Sequence, residues 1–277
     1  PTIPNMWFRT TNPGTEAEIA EQYAKLMERD TTTGWIVSDS LPTTLIGGPD
    51  SKLYVMYKAF DANGIYKTKV KCGTNEETET SEKYKVSTLT NQVRVVEFDI
   101  SNLKDDENNK LVITAYDKAT GDEEAGSYSR TIDMNVDNTP PTVEFGTMQN
   151  VYYGSVGYTI NGRRSDTNKI TELYFALTEK STESTEPTEP EEDKFFSIAE
   201  YQPGETAWSI SFDGRTNDAF STSFYTKLLN DYLDDLYGAG TKEKDEVKDV
   251  YLWIYAKDEL GNTSEKVHEL IQVSPQG

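Results

Sequence analysis

The chain has 277 residues, a formal charge of −21 and a pI near 4.4. A negative excess of that size repels nucleic-acid phosphates and anionic lipid head groups, which are recognised by clustered Lys and Arg, so both are excluded as partners. Hydrophobic residues at 35% and aromatics at 11%, set against a mean hydropathy of −0.69, leave enough bulk for packed cores under polar loops, and the length allows two domains.

The first predicted element is a helix in TEAEIAEQYAKLMERD, residues 15–30. Thr15 and Glu18 form a capping box, and Ile19, Tyr23, Leu26 and Met27 share a face. Strands follow in KLYVMYKAF (52–60), YKTKVKC (66–72), QVRVVEFDI (92–100), KLVITAY (110–116) and SRTIDMNV (129–136). Their period is two, and Asp, Asn and Gly punctuate them, which predicts short antiparallel strands. After VDNTPPTVEFG (136–146) the pattern resumes in VGYTING (156–162), KITELYFAL (169–177), TAWSISF (206–212), VYLWIYA (250–256) and KVHELIQV (266–273). Between them, EKSTESTEPTEPEED (179–193) is acidic, has nothing to bury, and reads as a disordered loop. SFYTKLLNDYLDDLYG (223–238) reads as a helix, with Ser223 as N-cap, Phe224, Leu228, Tyr232 and Leu236 on one face, and Gly238 as the stop.

Two comparisons within the chain give a spacing of about 140 residues: PTIPNMWF (1–8) with PTVEFGTM (141–148), and LVITAYDKATG (111–121) with YLWIYAKDELGN (251–262). Self-similarity at one spacing marks tandem modules, here 1–138 and 139–277. The expected fold is mostly β: two β-sandwiches in tandem, each with a short helical insertion. Prolines at the junction lack amide donors and favour extended backbone, so they end one sheet and stiffen the link to the next.

Chemistry is harder to place. The lone cysteine, Cys72, excludes an intrachain disulfide framework and a Cys-based zinc site. The lone histidine, His268, sits on a predicted strand in no catalytic context, and no pair stands out among 48 acidic residues, so no catalytic residue is assigned and the chain reads as non-enzymatic. No cofactor is implied. Asp133, Asn135 and Asp137, followed by Asn138, recur at every second position of a strand, a density of oxygen ligands that suits calcium. The preferred reading is that Asp137 and Asn138 cap a turn while Asp133 and Asn135 lie on a solvated face. Asp61, Asp117 and Asp258, each just before a Gly turn, read the same way. In VYLWIYA the aliphatics take one face, and Tyr251, Trp253 and Tyr255 take the other, a row suited to stacking on sugar rings. The competing reading, preferred here, lays the helix 223–238 over those rings.

The stretches NKLVITAYDKATGD, SYSRTIDMNVDNTPPTVEF and VYLWIYAKDELGNTSEKVHELIQV resemble the ends of bacterial immunoglobulin-like repeats, in which an Asp and a Gly turn precede the last strand and a Thr-Pro-Pro linker opens the next repeat. KAFDANGIYKTKV (58–70) resembles their early Asp-x-x-Gly-Ile turn. VDNTPP also resembles cadherin linkers, where an Asp-Asn pair before Pro helps hold calcium. The first resemblance implies immunoglobulin-like sandwiches from a large secreted or cell-surface bacterial protein, with a structural or adhesive role. Its partners would be other domains of the same polypeptide, or a host or cell-surface protein or glycan. A carbohydrate-binding accessory unit of a secreted enzyme is the alternative. No stretch approaches the roughly 18 apolar residues of a membrane span, and the opening PTIPNMWF lacks a basic-then-apolar signal pattern, so the chain reads as a piece of something longer.

Overall fold

The computed structural model describes residues 1–105, 108–117, 126–147, 151–152, 158–168, 170–197, 218–224 and 248–274. The chain divides into two compact units, Pro1–Thr139 and Pro140–Gly277.

Among the described residues the first unit carries ten strands: β1 (Thr2–Arg9), β2 (Ile36–Val37), β3 (Leu45–Gly47), β4 (Lys52–Phe60), β5 (Ile65–Cys72), β6 (Asn75–Thr80), β7 (Val93–Asp99), β8 (Lys110–Asp117), β9 (Ser127–Asp133) and β10 (Asn135–Asp137). They form two sheets, β2-β1-β4-β7 and β6-β5-β8-β9, and a parallel β3–β10 pair. Strand alternation explains the layering. On β4, Leu53, Val55 and Tyr57 point inward and are at most 1% exposed. They meet Val70, Cys72, Leu111 and Ile113 from the opposite sheet in one core. Each large side chain so buried contributes about 1.5–3 kcal/mol. Pro4, which has no amide to give a ladder, falls where the β1–β4 register slips between Thr2 and Asn5.

The other face of β4 is apolar too, and a helix covers it. Helix α1 (Glu16–Met27) begins with the expected box: Glu18 Oε2 accepts from the Thr15 amide at 2.7 Å, and Thr15 Oγ1 accepts from the Glu18 amide at 3.4 Å. Ile19, Tyr23 and Leu26 pack on Trp7, Trp35, Tyr54 and Met56. The Trp35 indole donates to Gln22 Oε1 at 2.7 Å, tying the helix to the chain beneath it. Met27, expected on that face, points away and is 47% exposed.

The second unit repeats the strand order. Its strands are β11 (Thr142–Phe145), β12 (Val151–Tyr152), β13 (Tyr158–Ser165), β14 (Ile170–Glu179), β15 (Phe196–Ser197), β16 (Asp218–Phe224), β17 (Lys248–Asp258) and β18 (Val267–Ser274). The sheets β11-β13-β16 and β15-β14-β17-β18-β12 match β1-β4-β7 and β6-β5-β8-β9, with a parallel β12–β18 pair in the place of β3–β10. The three strands and the four strands that the two units have in common are arranged as in the immunoglobulin-like sandwich. Leu173, Phe175, Val250, Leu252, Ile254 and Ile271 fill the inner face.

Two expectations change. Ser223 and Phe224, read as the start of a helix, end strand β16, where Tyr158 pairs with Phe224 and Thr159 with Ser223. Partnership with β13 overrides the local four-residue period; the rest of 223–238, like the expected strand 206–212, lies outside the described residues. The acidic segment 179–193, expected to be disordered, is instead tied down. Lys180 bonds Asp249 through its amide and its ammonium, both at 3.1 Å, and Glu189 pairs with Lys266 at 2.7 Å. Pro190 is buried, and a 3-10 turn at Glu192–Lys194 leads into β15.

The first unit ends in a tight closure. β10 runs beside β3 with Asp137 opposite Gly47, whose φ is +135°. A Cβ on Gly47 would lie 2.2 Å from the Asp137 carbonyl oxygen and 2.8 Å from Asn138 Oδ1. Gly47→Ala therefore combines backbone strain with a clash against main chain, and is expected to destabilise the first unit by about 2–3 kcal/mol in urea unfolding. A loss under about 0.5 kcal/mol would show that the pairing yields freely.

Candidate functional site

The outer face of β14, β17 and β18 carries the aromatic row. Along β17, Val250, Leu252, Ile254 and Ala256 face the core at 2% exposure or less, which turns Tyr251, Trp253 and Tyr255 outward. The three rings do not form an open platform. Trp253 is 4% exposed, its indole N–H donates to Thr178 Oγ1 at 2.8 Å, and the exposed His268 ring lies 4.6 Å away. Tyr255 is half-buried, stacked on Tyr174 at 4.8 Å and met edge-on by Phe195 at 5.0 Å. Lys266 sits over Phe195 at 5.1 Å while holding Glu189. Burial, then the nearby Glu192 and Glu172, push the Tyr255 hydroxyl above its ordinary range. The chain leading into β15 thus lies against Tyr255, where a helix was expected over the whole row.

Tyr251 differs from its neighbours. It is half-exposed, with His268 edge-on at 5.5 Å, and it lines a cleft of about 910 Å³ together with residues 179–185, Asp249 and Gln272. The cleft wall folds through side-chain turns: Ser181 Oγ accepts from the Glu183 amide at 3.1 Å, and Ser184 Oγ accepts from the Glu186 amide at 3.2 Å. One ring, several hydroxyls, an amide and carboxylates line this polar cleft. Only Tyr251 of this lining was singled out from the sequence; the Ser-Thr-Glu repeats carry no signal of a wall until Lys180 and Asp249 fix the loop.

The four linker residues do not converge on one point. Asp133, at the end of β9, is exposed and pairs with Lys110 at 3.4 Å, and Asn135 is exposed. Asp137 is fully buried, so the face shared by the three expected ligands breaks at Asp137. Asn138 is a structural hub. Its Oδ1 accepts from the Gly48 amide at 2.8 Å, and its Nδ2 donates to the Ile100 and Leu103 carbonyls at 2.7 and 2.8 Å. Asp105 accepts from the Asn138 amide at 2.6 Å.

Asp61 and Asp258 behave as backbone acceptors. Asp61 accepts from the Asn63 amide at 2.8 Å. Asp258 Oδ1 accepts from the Leu260 and Asn262 amides at 2.8 and 2.9 Å, and its Oδ2 accepts from Asn262 Nδ2 at 2.7 Å. The Asp117 amide donates to the Gly126 carbonyl at 3.0 Å. Asp166, not singled out from the sequence, is buried with a carboxylate oxygen within 4.8 Å of one from Asp258. Cys72 is buried with its sulfur 3.7 Å from that of Met134, and burial pushes its thiol up to about 12, the behaviour of a packing residue.

No family model matches the chain, and no curated protein matches it. Among solved structures it is similar to the Clostridium thermocellum CbhA fibronectin(III)-like modules, at 10% identity and a TM-score of 0.31, covering 84% of this chain and 88% of that one. It is also similar to chicken CNTN1 FN1–FN3 domains, at 10% identity and a TM-score of 0.30, covering 87% of this chain and 71% of that one. The assignment to the immunoglobulin-like sandwich rests on the strand order itself. No described helix is long and apolar enough to cross a membrane.

Burial separates the roles of Trp253 and Tyr251 among the three outward rings. Trp253→Ala should cost the second unit about 3–5 kcal/mol in chemical unfolding, as truncation of a packed aromatic does, whereas Tyr251→Ala should cost less than about 1 kcal/mol. Equal losses would contradict the different surroundings of the two rings.

Proposed function

We propose that the chain is a non-catalytic structural and adhesive segment of a large bacterial surface or secreted protein. The observation that carries this reading is the way the first unit closes on itself at the junction. The last strand, β10, is held by β3, Asn138 is bonded to Gly48, Ile100 and Leu103, and Thr139 still donates to Asp105 at 3.1 Å. The next unit begins at Pro140 and repeats the same sheet order. A unit whose exit strand is bonded up to the junction can be strung in series without lending its core to a neighbour. The resemblance of the strand endings to bacterial surface repeats supports the location outside the cytoplasm.

A chain built this way unfolds one unit at a time. Pulled by its ends in a force spectrometer, it should give two separate ruptures, each releasing roughly 450 Å of chain. A single rupture releasing both lengths together would defeat the tandem reading.

The half-exposed Tyr251 in its polar cleft favours a second reading, a carbohydrate-binding accessory unit. On that reading a neutral oligosaccharide binds in calorimetry, and Tyr251→Ala abolishes the heat while leaving the fold intact. Absence of binding across a panel of neutral glycans leaves the structural reading standing alone.

A further inference from the structure

We propose that the outer face of the β6-β5-β8-β9 sheet binds an anionic polysaccharide, a carbohydrate chain bearing carboxylates along its length. This rests on the adhesive half of the function proposed above and names the ligand class for it.

Strand alternation builds the face. Val70 and Cys72 point into the core at 0% exposure, so Lys67, Lys69 and Lys71 turn to the other side of β5. Register then sets rows across the sheet. Lys69 lies opposite Thr78 and Thr114, and Thr114 opposite Ser129; Lys71 lies opposite Glu76 and Val112, and Val112 opposite Thr131. Lys110 of β8 lies opposite Asp133. Lys67 belongs to the sheet rather than to a ligand: it is 7% exposed, with its ammonium 4.4 Å from the centre of the Tyr116 ring.

The remaining cations reach the solvent. Lys69 and Lys110 touch Glu76 and Asp133 at 3.4 Å each, with both acids well exposed, and pairs of this kind contribute about 0–1 kcal/mol and exchange readily. Lys71 is exposed and has no ion pair among the described residues. At the end of the face, Lys71 and Lys110 flank a groove of about 370 Å³, with Gly73, Thr74, Asn108, Asn109 and Val112 completing its lining. Lys69, Lys71 and Lys110 against Glu76 and Asp133 leave these rows with a small positive excess within a chain of −21. Beyond a screening length of about 8 Å at physiological ionic strength, the acidic remainder of the chain is largely masked, so the local sign decides what docks.

The hydroxyl rows choose between polyanions. Thr78, Thr114, Ser129 and Thr131 each donate and accept hydrogen bonds, which is what the hydroxyls of a sugar chain require. An acidic peptide would look for apolar side-chain pockets, and Val112 is the one aliphatic side chain among these rows. Lys69 and Lys71 stand two residues apart on one strand, roughly 6.8 Å, a spacing that lets a linear polymer meet one ammonium after another.

The test uses the full chain in native gels containing polygalacturonate and a chelator, with dextran as the neutral polymer. Polygalacturonate should retard the protein and dextran should not. The variant Lys69→Gln, Lys71→Gln, Lys110→Gln should weaken binding about tenfold or more at an unchanged melting temperature. A charge-matched control, Lys25→Gln, Lys52→Gln, Lys85→Gln, should bind as the parent does. No retardation, retention by the triple variant, or an equal loss in the control would each overturn the proposal. Polyglutamate binding as tightly as polygalacturonate would overturn it in favour of an acidic peptide. New reducing ends in the same mixtures would count against the non-catalytic function and leave the binding face untouched, so the two failures are distinguishable.

Discussion

Every strand in this chain answers to two partners because successive side chains leave a pleated backbone on opposite sides. One side must close a sandwich, and in both units it does so with the same kind of residue: Leu53, Val55 and Val70 in the first, Leu173, Leu252 and Ile254 in the second, none more than 2% exposed. A slip of one residue in any central strand would exchange core and surface along its whole length, so this burial fixes register and, through register, what appears on the outside. The lysine rows of β5 and the aromatic row of β17 are equally consequences of it.

The outer faces are where the two units part company. Over β1 and β4, indole and tyrosine rings are covered by α1, an amphipathic helix with Gln22 as its polar tether. On β14 and β17, Tyr255 is packed between Tyr174 and Phe195, and Trp253 is closed in at 4% exposure. On β5 and β8, lysines and hydroxyls need no cover, since water solvates them. β8 and β17 hold corresponding places in the repeated strand order, yet one presents Val112, Thr114 and Tyr116 and the other Tyr251, Trp253 and Tyr255. The two units share their construction inside and differ in the chemistry of these outer faces.

What the sequence made legible follows from how local each signal is. The alternation in KLYVMYKAF and VYLWIYA and the Thr15–Glu18 box are complete within a dozen residues, and the corresponding strands and helix are present. β6, NEETET, has no apolar alternation; it is a strand because β5 pairs with it, with Glu79 turned inward and met by Lys83 at 2.8 Å. The strand role of Ser223 and Phe224 likewise comes from β13, which no local period reveals. The site is less legible still. Tyr251 was readable as an outward ring, but the cleft beside it depends on where an acidic loop lands. The lysines of KTKVK were visible as alternation, while their hydroxyl neighbours come from β6, β8 and β9 and meet them only in the folded sheet.

Net charge is the property of this chain easiest to compute and easiest to over-read. A value of −21 excludes extended contact with phosphate backbones, because that contact recruits a large area and feels the summed potential. A single sheet face some tens of ångströms across is a different case. At physiological ionic strength it is decided by charges within about 8 Å, and around Lys69, Lys71 and Lys110 those are the lysines with Glu76 and Asp133 beside them. The acids of the loop 179–193 are spent elsewhere: Glu189 on Lys266, and others on the wall of the Tyr251 cleft. The charge of this chain is segregated by face, so its recognition properties follow from the register of individual strands, where composition averages them away.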